Sequence, residues 1–221
     1  MKRFIDLSHT VESEMITYKG LPGPVITEHM SREASRSHYA EGTEFYIGKI
    51  EMVANTGTYI DSPFHRFSSG KDLSELPLSS LADIDGVVVR AEERKDRALG
   101  EEYFQNVAVA NRAVIVHTGW AKHWRTEQYS EGHPFLTEDA AKYLVMAGAV
   151  LVGIDSFNID DTADKYRPAH TILLQASIPI VEHMCGIENL PDDGFKFFAV
   201  AAKVKNFGSF PVRAFAITYN P

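Results

Sequence analysis

Thr137-Glu-Asp-Ala-Ala-Lys-Tyr-Leu-Val-Met-Ala-Gly148-Ala-Val-Leu-Val-Gly-Ile154 carries a helix and a strand back to back. Thr137 is a favourable N-cap, Glu138 and Asp139 suit the positive end of a helix, and Gly148 is a natural stop. Ala140, Ala141, Leu144 and Val145 supply an apolar face at helical spacing. The run Ala149 to Ile154 that follows is almost wholly apolar, as in a central strand covered on both faces. It ends at Asp155 and Ser156, and polar residues just beyond a buried strand are a usual place for a site. A helix feeding directly into a two-sided strand predicts an α/β chain.

Outward from that unit, β-branched and aromatic runs read as strands at Phe4 to Leu7, Phe45 to Val53, Val87 to Val89, Val114 to Val116, Val150 to Ile154, Phe197 to Val200 and Val212 to Ile217. Gly20 to Glu44 and Asp155 to Pro168 read as long irregular stretches, which in compact domains are more often functional than idle. No repeat, low-complexity tract or linker divides the chain, so residues 1–221 read as one domain. With 44% hydrophobic and 24% charged residues among 221, the composition is that of a globular protein and excludes disorder, collagen and coiled coil. The net charge of −8, without a Lys/Arg cluster, argues against nucleic-acid or anionic-membrane partners and for a small-molecule substrate. Cys185 is the single cysteine, set among apolar residues. It reads as a buried thiol in a reducing compartment. Asp6 interrupts any signal-like start, and no apolar run approaches the roughly 18 residues of a membrane span. A cytoplasmic location is expected.

Dinucleotide, Walker A, nucleophile-elbow and cysteine–zinc signatures are missing from the sequence. Asn158, Asp160, Asp161 and Asp164 lack the glycine and closing glutamate of a calcium loop and read as a solvated acidic loop. The informative segment is Asn55-Thr-Gly-Thr-Tyr-Ile-Asp-Ser-Pro-Phe-His65. Gly57 and Pro63 fix its bends, and alternation turns Asn55, Tyr59 and Asp61 toward one side, with His65 swung in after Pro63. Downstream, His170 in Pro168-Ala-His-Thr-Ile-Leu-Leu and Glu182 in Ile178-Pro-Ile-Val-Glu sit beside apolar runs. A carboxylate there needs a partner.

The segment resembles the H-x-G-T-H-x-D-x-P-x-H motif of the cyclase superfamily that includes bacterial kynurenine formamidases and isatin hydrolases. Ile5-Asp-Leu-Ser-His9-Thr, Thr118-Gly-Trp120, Gly153-Ile-Asp155-Ser156, His170-x-x-Leu-Leu and Ile180-Val-Glu182 follow in the family's order, so the resemblance spans most of the chain. It implies a swivelling β/β/α fold, with a mixed central sheet, a β-barrel-like core and flanking helices. It also implies a homodimer or homotetramer and a divalent-metal site that hydrolyses an amide of an aromatic or cyclic substrate. By resemblance, Asp61 corresponds to the bridging ligand, His170 and Glu182 to ligands of the second metal, and His65 to the proton-shuttling histidine.

Asn55 and Tyr59 stand where the family motif has histidines. Three readings follow. Asp61, His170 and Glu182 can hold one Zn²⁺ or Mn²⁺ with a position open for water. Alternatively, the Asn55 carbonyl and a Tyr59 phenolate keep an altered first site, although a phenol with a pKa near 10 needs the ion's help to ionise. In the third reading two lost imidazoles leave a metal-free pocket that binds a ligand or acts as a lyase or isomerase. In an active hydrolase His65 takes the proton of the attacking water and Tyr59, when it is not a ligand, faces the developing oxyanion. Tyr18, Trp120 and Phe157 are candidates for contacting a ring, with Phe45 and Tyr46 as further aromatics. Asp155 and Ser156 are candidates for orienting a ligand imidazole. His9 and His183 read as structural, and His117, His123 and His133 lack spacing partners. The leading expectation is a metal-dependent amide or lactone hydrolase, and the alternative a non-hydrolytic homologue.

Overall fold

The computed structural model describes residues 1–219. Thirteen strands are present in these residues: β1 (Lys2–Asp6), β2 (Val25–Met30), β3 (Ile47–Glu51), β4 (Tyr59–Asp61), β5 (Ile84–Arg90), β6 (Ala98–Leu99), β7 (Ala113–His117), β8 (Phe135–Leu136), β9 (Leu151–Ile154), β10 (Ile180–Glu182), β11 (Phe195–Phe198), β12 (Ser209–Pro211) and β13 (Phe215–Tyr219). The α-helices are α1 (Arg32–Ser35), α2 (Glu138–Met146) and α3 (Pro168–Gln175). Nine strands form one mixed sheet in the order β1-β13-β11-β5-β7-β9-β10-β4-β12. Its centre, β5-β7-β9-β10, is parallel, and every other pairing within this sheet is antiparallel. The expected mixed α/β architecture is therefore the one observed.

The sheet must curl, and one short link shows why. Only Val212, Arg213 and Ala214 join β12 at one edge to β13 near the other. Seven strand spacings laid flat would separate them by about 34 Å, whereas four Cα steps reach about 15 Å. This link also corrects the single strand expected over Val212 to Ile217. Leu7 and Val212 close the gap by donating to Ala214 and Thr58 carbonyls.

Alternation along the central strands supplies a core on each face. Val87, Val89, Val114, Val116, Val152 and Ile154 pack with Leu144 of α2 and Leu173 of α3. Val88, Ile115, Leu151, Val181, Phe195 and Phe197 fill the other side. Thr137 caps α2 through its side chain, as the sequence predicts. Residues 20–44, expected to be irregular, instead contain β2 and α1. β2 pairs with β3 in a hairpin separate from the large sheet. Its exposed apolar residues include Val25, Ile26, Ile47 and Ile50. No helix of the described residues is long and apolar enough to cross a membrane.

Candidate active site

Strand register assembles the site. β4 lies between β10 and β12, with Glu182 opposite Tyr59 and Ser209 opposite Asp61. Tyr59 and Asp61, two residues apart, share a face of the strand. Cross-strand neighbours on one face meet closely, so the Tyr59 hydroxyl donates to Glu182 Oε2 at 2.5 Å, and the Ser209 hydroxyl to Asp61 Oδ1. Gly57, at φ +63°, makes the turn that brings Asn55 round to the same cavity.

The third component comes from α3. Asp160 Oδ1 accepts from the Ala169 amide at 2.6 Å, while its Oδ2 accepts from the His170 amide at 3.1 Å and from Nδ1 at 2.6 Å. One carboxylate thus satisfies the first turn of a helix opened by Pro168 and fixes the imidazole it carries. Because a carboxylate only accepts, Nδ1 holds a proton and Nε2 faces the remaining partners. Nε2 lies 3.6 Å from Asp61 Oδ2 and 3.8 Å from Glu182 Oε1. Burial opposes charge on His170, but Glu182, Asp160 and Asp61 outweigh it and raise its pKa to about 10. Burial, reinforced by Asp61, pushes Glu182 up to about 7.

The same donor counting fixes His65. The Ser209 proton goes to Asp61, so His65 Nδ1, 2.9 Å from Ser209 Oγ, must be the donor in that contact. Neutral His65 then keeps its lone pair on Nε2. The side chain is about a third exposed and lines a cavity of about 280 Å³ with Tyr18, Asn55, Tyr59, His170 and Glu182. The Tyr18 hydroxyl stands 2.8 Å from that of Tyr59, 3.4 Å from Glu182 Oε2 and 3.1 Å from His183 Nε2. Burial, then the Glu182 charge, holds both phenols well above their ordinary pKa.

Other expected residues lie elsewhere. Trp120 is buried against Tyr129 and Phe157, with its indole N–H on the Tyr129 carbonyl, and does not line the cavity. Phe157 packs behind Tyr18 and faces a separate cleft. Phe45 and Tyr46 are exposed beside the hairpin. Asp155 does not orient a ligand imidazole: it accepts from the Thr118 amide and hydroxyl and the Gly119 amide. Ser156 donates to the Pro134 carbonyl. Asp160 performs the orienting role, and the reading of its loop as solvated fails because Asn158 and Asp160 are buried. His183 is buried with its ring on Tyr129 and Tyr18, but at φ +54° it breaks the alternation expected there. His9 stacks on Trp124 at 4.0 Å. Sequence reasoning missed Ser209 and the role of Asp160; the second had a signal in Asp160 lying eight residues before Pro168.

These donors fit one divalent cation. Asp61 Oδ2 is buried with no hydrogen-bond partner among the described residues, opposite Nε2 of an imidazole locked by a carboxylate. The 3.6 and 3.8 Å separations approach the roughly 3.4 Å edge of a tetrahedron with 2.1 Å bonds. Among the described residues, the group whose ligand atoms all lie within 4.8 Å of one another is Asp61, His65 and His170, with Glu182 outside it. A second ion does not fit as well, because the Tyr59 phenol is committed to Glu182.

The family model described as "Putative cyclase" matches residues 5–161. The chain belongs to that cyclase family. Kynurenine formamidase of Bacillus cereus is 25% identical over 212 residues, covering 96% of this chain and 95% of the relative. Kynurenine formamidase of Geobacillus thermodenitrificans is 27% identical over 216 residues, with 97% of each chain covered. Among solved structures, an isatin hydrolase bound to thioisatinate, a product analogue, superposes with a TM-score of 0.83 at 18% identity, over 99% of this chain and 93% of that one. A structure described as a potential metal-dependent hydrolase with cyclase activity gives 0.81 at 20% identity over the whole of both chains. These two superpositions establish the shared fold.

Proposed function

We propose that the protein is a hydrolase using one divalent metal ion, zinc or manganese, to open an amide or lactone of a small cyclic or aromatic substrate. The unmet Asp61 Oδ2 facing His170 Nε2 carries this reading. Asp61, His170 and Glu182 would hold the ion, with Asn55 beside them in the cavity wall. A bound ion of this kind supplies Lewis acidity, lowering the pKa of water toward about 7 and polarising a carbonyl. His65 is the base: Ser209 holds Nδ1, and Nε2 accepts the proton and passes it to the leaving group. Tyr59 spends its hydroxyl proton on Glu182, which makes it a positioning residue in place of the expected oxyanion donor. Tyr18 alone of the three aromatic candidates lines the cavity.

A second, metal-free reading draws on Glu182, whose oxygens already accept from the Ile159 amide at 2.6 Å and from Tyr59. Elemental analysis of protein purified without chelator decides between them, joined to a turnover screen of N-formyl aromatic amines, lactams and lactones. About one ion per chain and ion-dependent hydrolysis is the expected result; no ion after incubation with Zn²⁺ and Mn²⁺ favours the metal-free pocket. The exposed apolar β2–β3 hairpin is the surface through which two copies of the chain would associate. Sedimentation as a monomer would refute that association.

A further inference from the structure

The cavity is electrically polar, and its rim is basic. The buried carboxylate of Glu182 lines it, with Asp61 buried behind it 3.6 Å from His170 Nε2, whereas Arg66 and Arg167 line the same cavity. In a chain of net charge −8, arginines usually find carboxylates, as Arg36, Arg90, Arg125 and Arg213 do here. Arg66 and Arg167 make no ion pair among the described residues. Arg66 Nε donates to Thr171 Oγ1 at 3.2 Å, its guanidinium lies 5.4 Å from the Phe67 ring centre, and its two terminal amino groups have no hydrogen bond. Arg167 gives only Nη1, at 3.1 Å, to Asn158 Oδ1. Thr171 links the two positions, because its amide donates to the Arg167 carbonyl.

Arg167 also occupies a costly backbone position. It stands at the N-cap of α3 with φ 51° and ψ 61°, in the left-handed region where glycine or asparagine is favoured. A long cationic side chain kept at such a position, with most of its donors unused, points to something it must reach.

Resting on the hydrolase reading of this cavity, we propose that Arg66 and Arg167 form an anion clamp and that the substrate carries a carboxylate at the end remote from its scissile carbonyl. The two guanidinium groups attract such a group to their side of the cavity, away from Glu182 and His170 where the hydrolase reading puts the scissile carbonyl, so they set the substrate's direction as well as its class. The planar guanidinium forks suit a carboxylate, each offering paired N–H donors. A cavity of about 280 Å³ limits the occupant to roughly a single substituted ring.

The test measures binding and turnover separately. Calorimetric titration of benzoate and of neutral benzamide is made into wild type, Arg167→Gly and Arg66→Gln, at low and high salt. Each variant is expected to weaken benzoate about tenfold or more and to reduce the benzoate preference over benzamide, with the wild-type preference falling as salt rises. Arg167→Gly relieves the left-handed strain, so its thermal midpoint is expected to hold or rise. That rise separates lost binding from lost folding. In parallel, the ratio of kcat/KM for a carboxylate-bearing formanilide over formanilide is expected to fall at least tenfold in both variants, chiefly through KM. Benzoate affinity that ignores both substitutions overturns the clamp, because the carboxylate would then sit on the bound ion. Hydrolysis of both formanilides with no arginine-dependent preference overturns it and leaves the hydrolase reading intact. Arginine-dependent benzoate binding without turnover of either formanilide upholds the clamp and counts against hydrolysis.

Discussion

Two buried carboxylates, one closing β4 and the other following β9, meet opposite fates. Asp155, just after β9, is saturated: two amides and a hydroxyl from Thr118 and Gly119 surround it, and His117 Nε2 lies 3.9 Å away. Asp61, on β4, has one oxygen on Ser209 and the other without a hydrogen bond, 3.6 Å from His170 Nε2. Equal burial and the same residue type thus give a saturated latch in one corner and an open lone pair in the other. What separates them is whether the surrounding backbone meets every lone pair, since a buried oxygen without a partner is costly unless a ligand completes it.

The largest effect should come from Asp61→Asn, which removes the charge at the unmet oxygen. Retained ion, measured by elemental analysis after desalting, is expected to fall below about a tenth of wild type, and hydrolysis by about 10³-fold or more. Full ion content in that variant would sink the assignment. His65→Ala should keep the ion and slow turnover by about 10²-fold or more, as for a lost general base; parallel loss of ion would make His65 a ligand. Asp160→Ala should weaken ion affinity about 10–100-fold through the freed imidazole. Its counterpart in the saturated corner, Asp155→Ala, should cost about 1–3 kcal/mol in urea unfolding and leave ion affinity alone. A drop in affinity there would erase the contrast between the corners.

An unmet atom does not suffice by itself. His9 Nε2 and His133 Nδ1 are also buried without partners, but each is one neutral nitrogen with no carboxylate converging on it. Burial lowers the pKa of His9 to about 4. Its folded value is depressed below the unfolded 6.5, so the native state loses stability as pH falls from about 6.5 toward 4 while the unfolded chain takes up the proton. His9→Phe keeps the stack on Trp124 and removes that uptake. The variant should therefore lose less stability than wild type between pH 7 and pH 5, the smallest effect in this series, read by urea unfolding at both values.

The site was legible in sequence where it is local. Residues 55–65 give Asn55, Tyr59 and Asp61 a common side by strand alternation alone, and the cavity contains Asn55, Tyr59 and His65. Residues that act from a distance left little trace. Ser209 meets Asp61 across 148 positions through the β12–β4 register, which no local pattern specifies. Asp160 looked like one acid among several because its function depends on a helix starting at Pro168, and that helix follows a left-handed residue that sequence pattern does not announce. Trp120 and Phe157 show the converse: large aromatics near the right motif were drawn into a buried cluster of their own. The central helix–strand unit and most strands followed from periodicity, whereas the hairpin and the short link at residues 212–214 depended on how the sheet curls.

Asp160 ties the chemistry of the site to the opening of a helix. Its carboxylate holds the Ala169 and His170 amides and the His170 ring together, so the first turn of α3 cannot fray without turning the imidazole loose. Occupancy and local unfolding are therefore reciprocal: whatever binds at His170 slows hydrogen exchange at the amides of residues 169 and 170, and whatever loosens that turn empties the site.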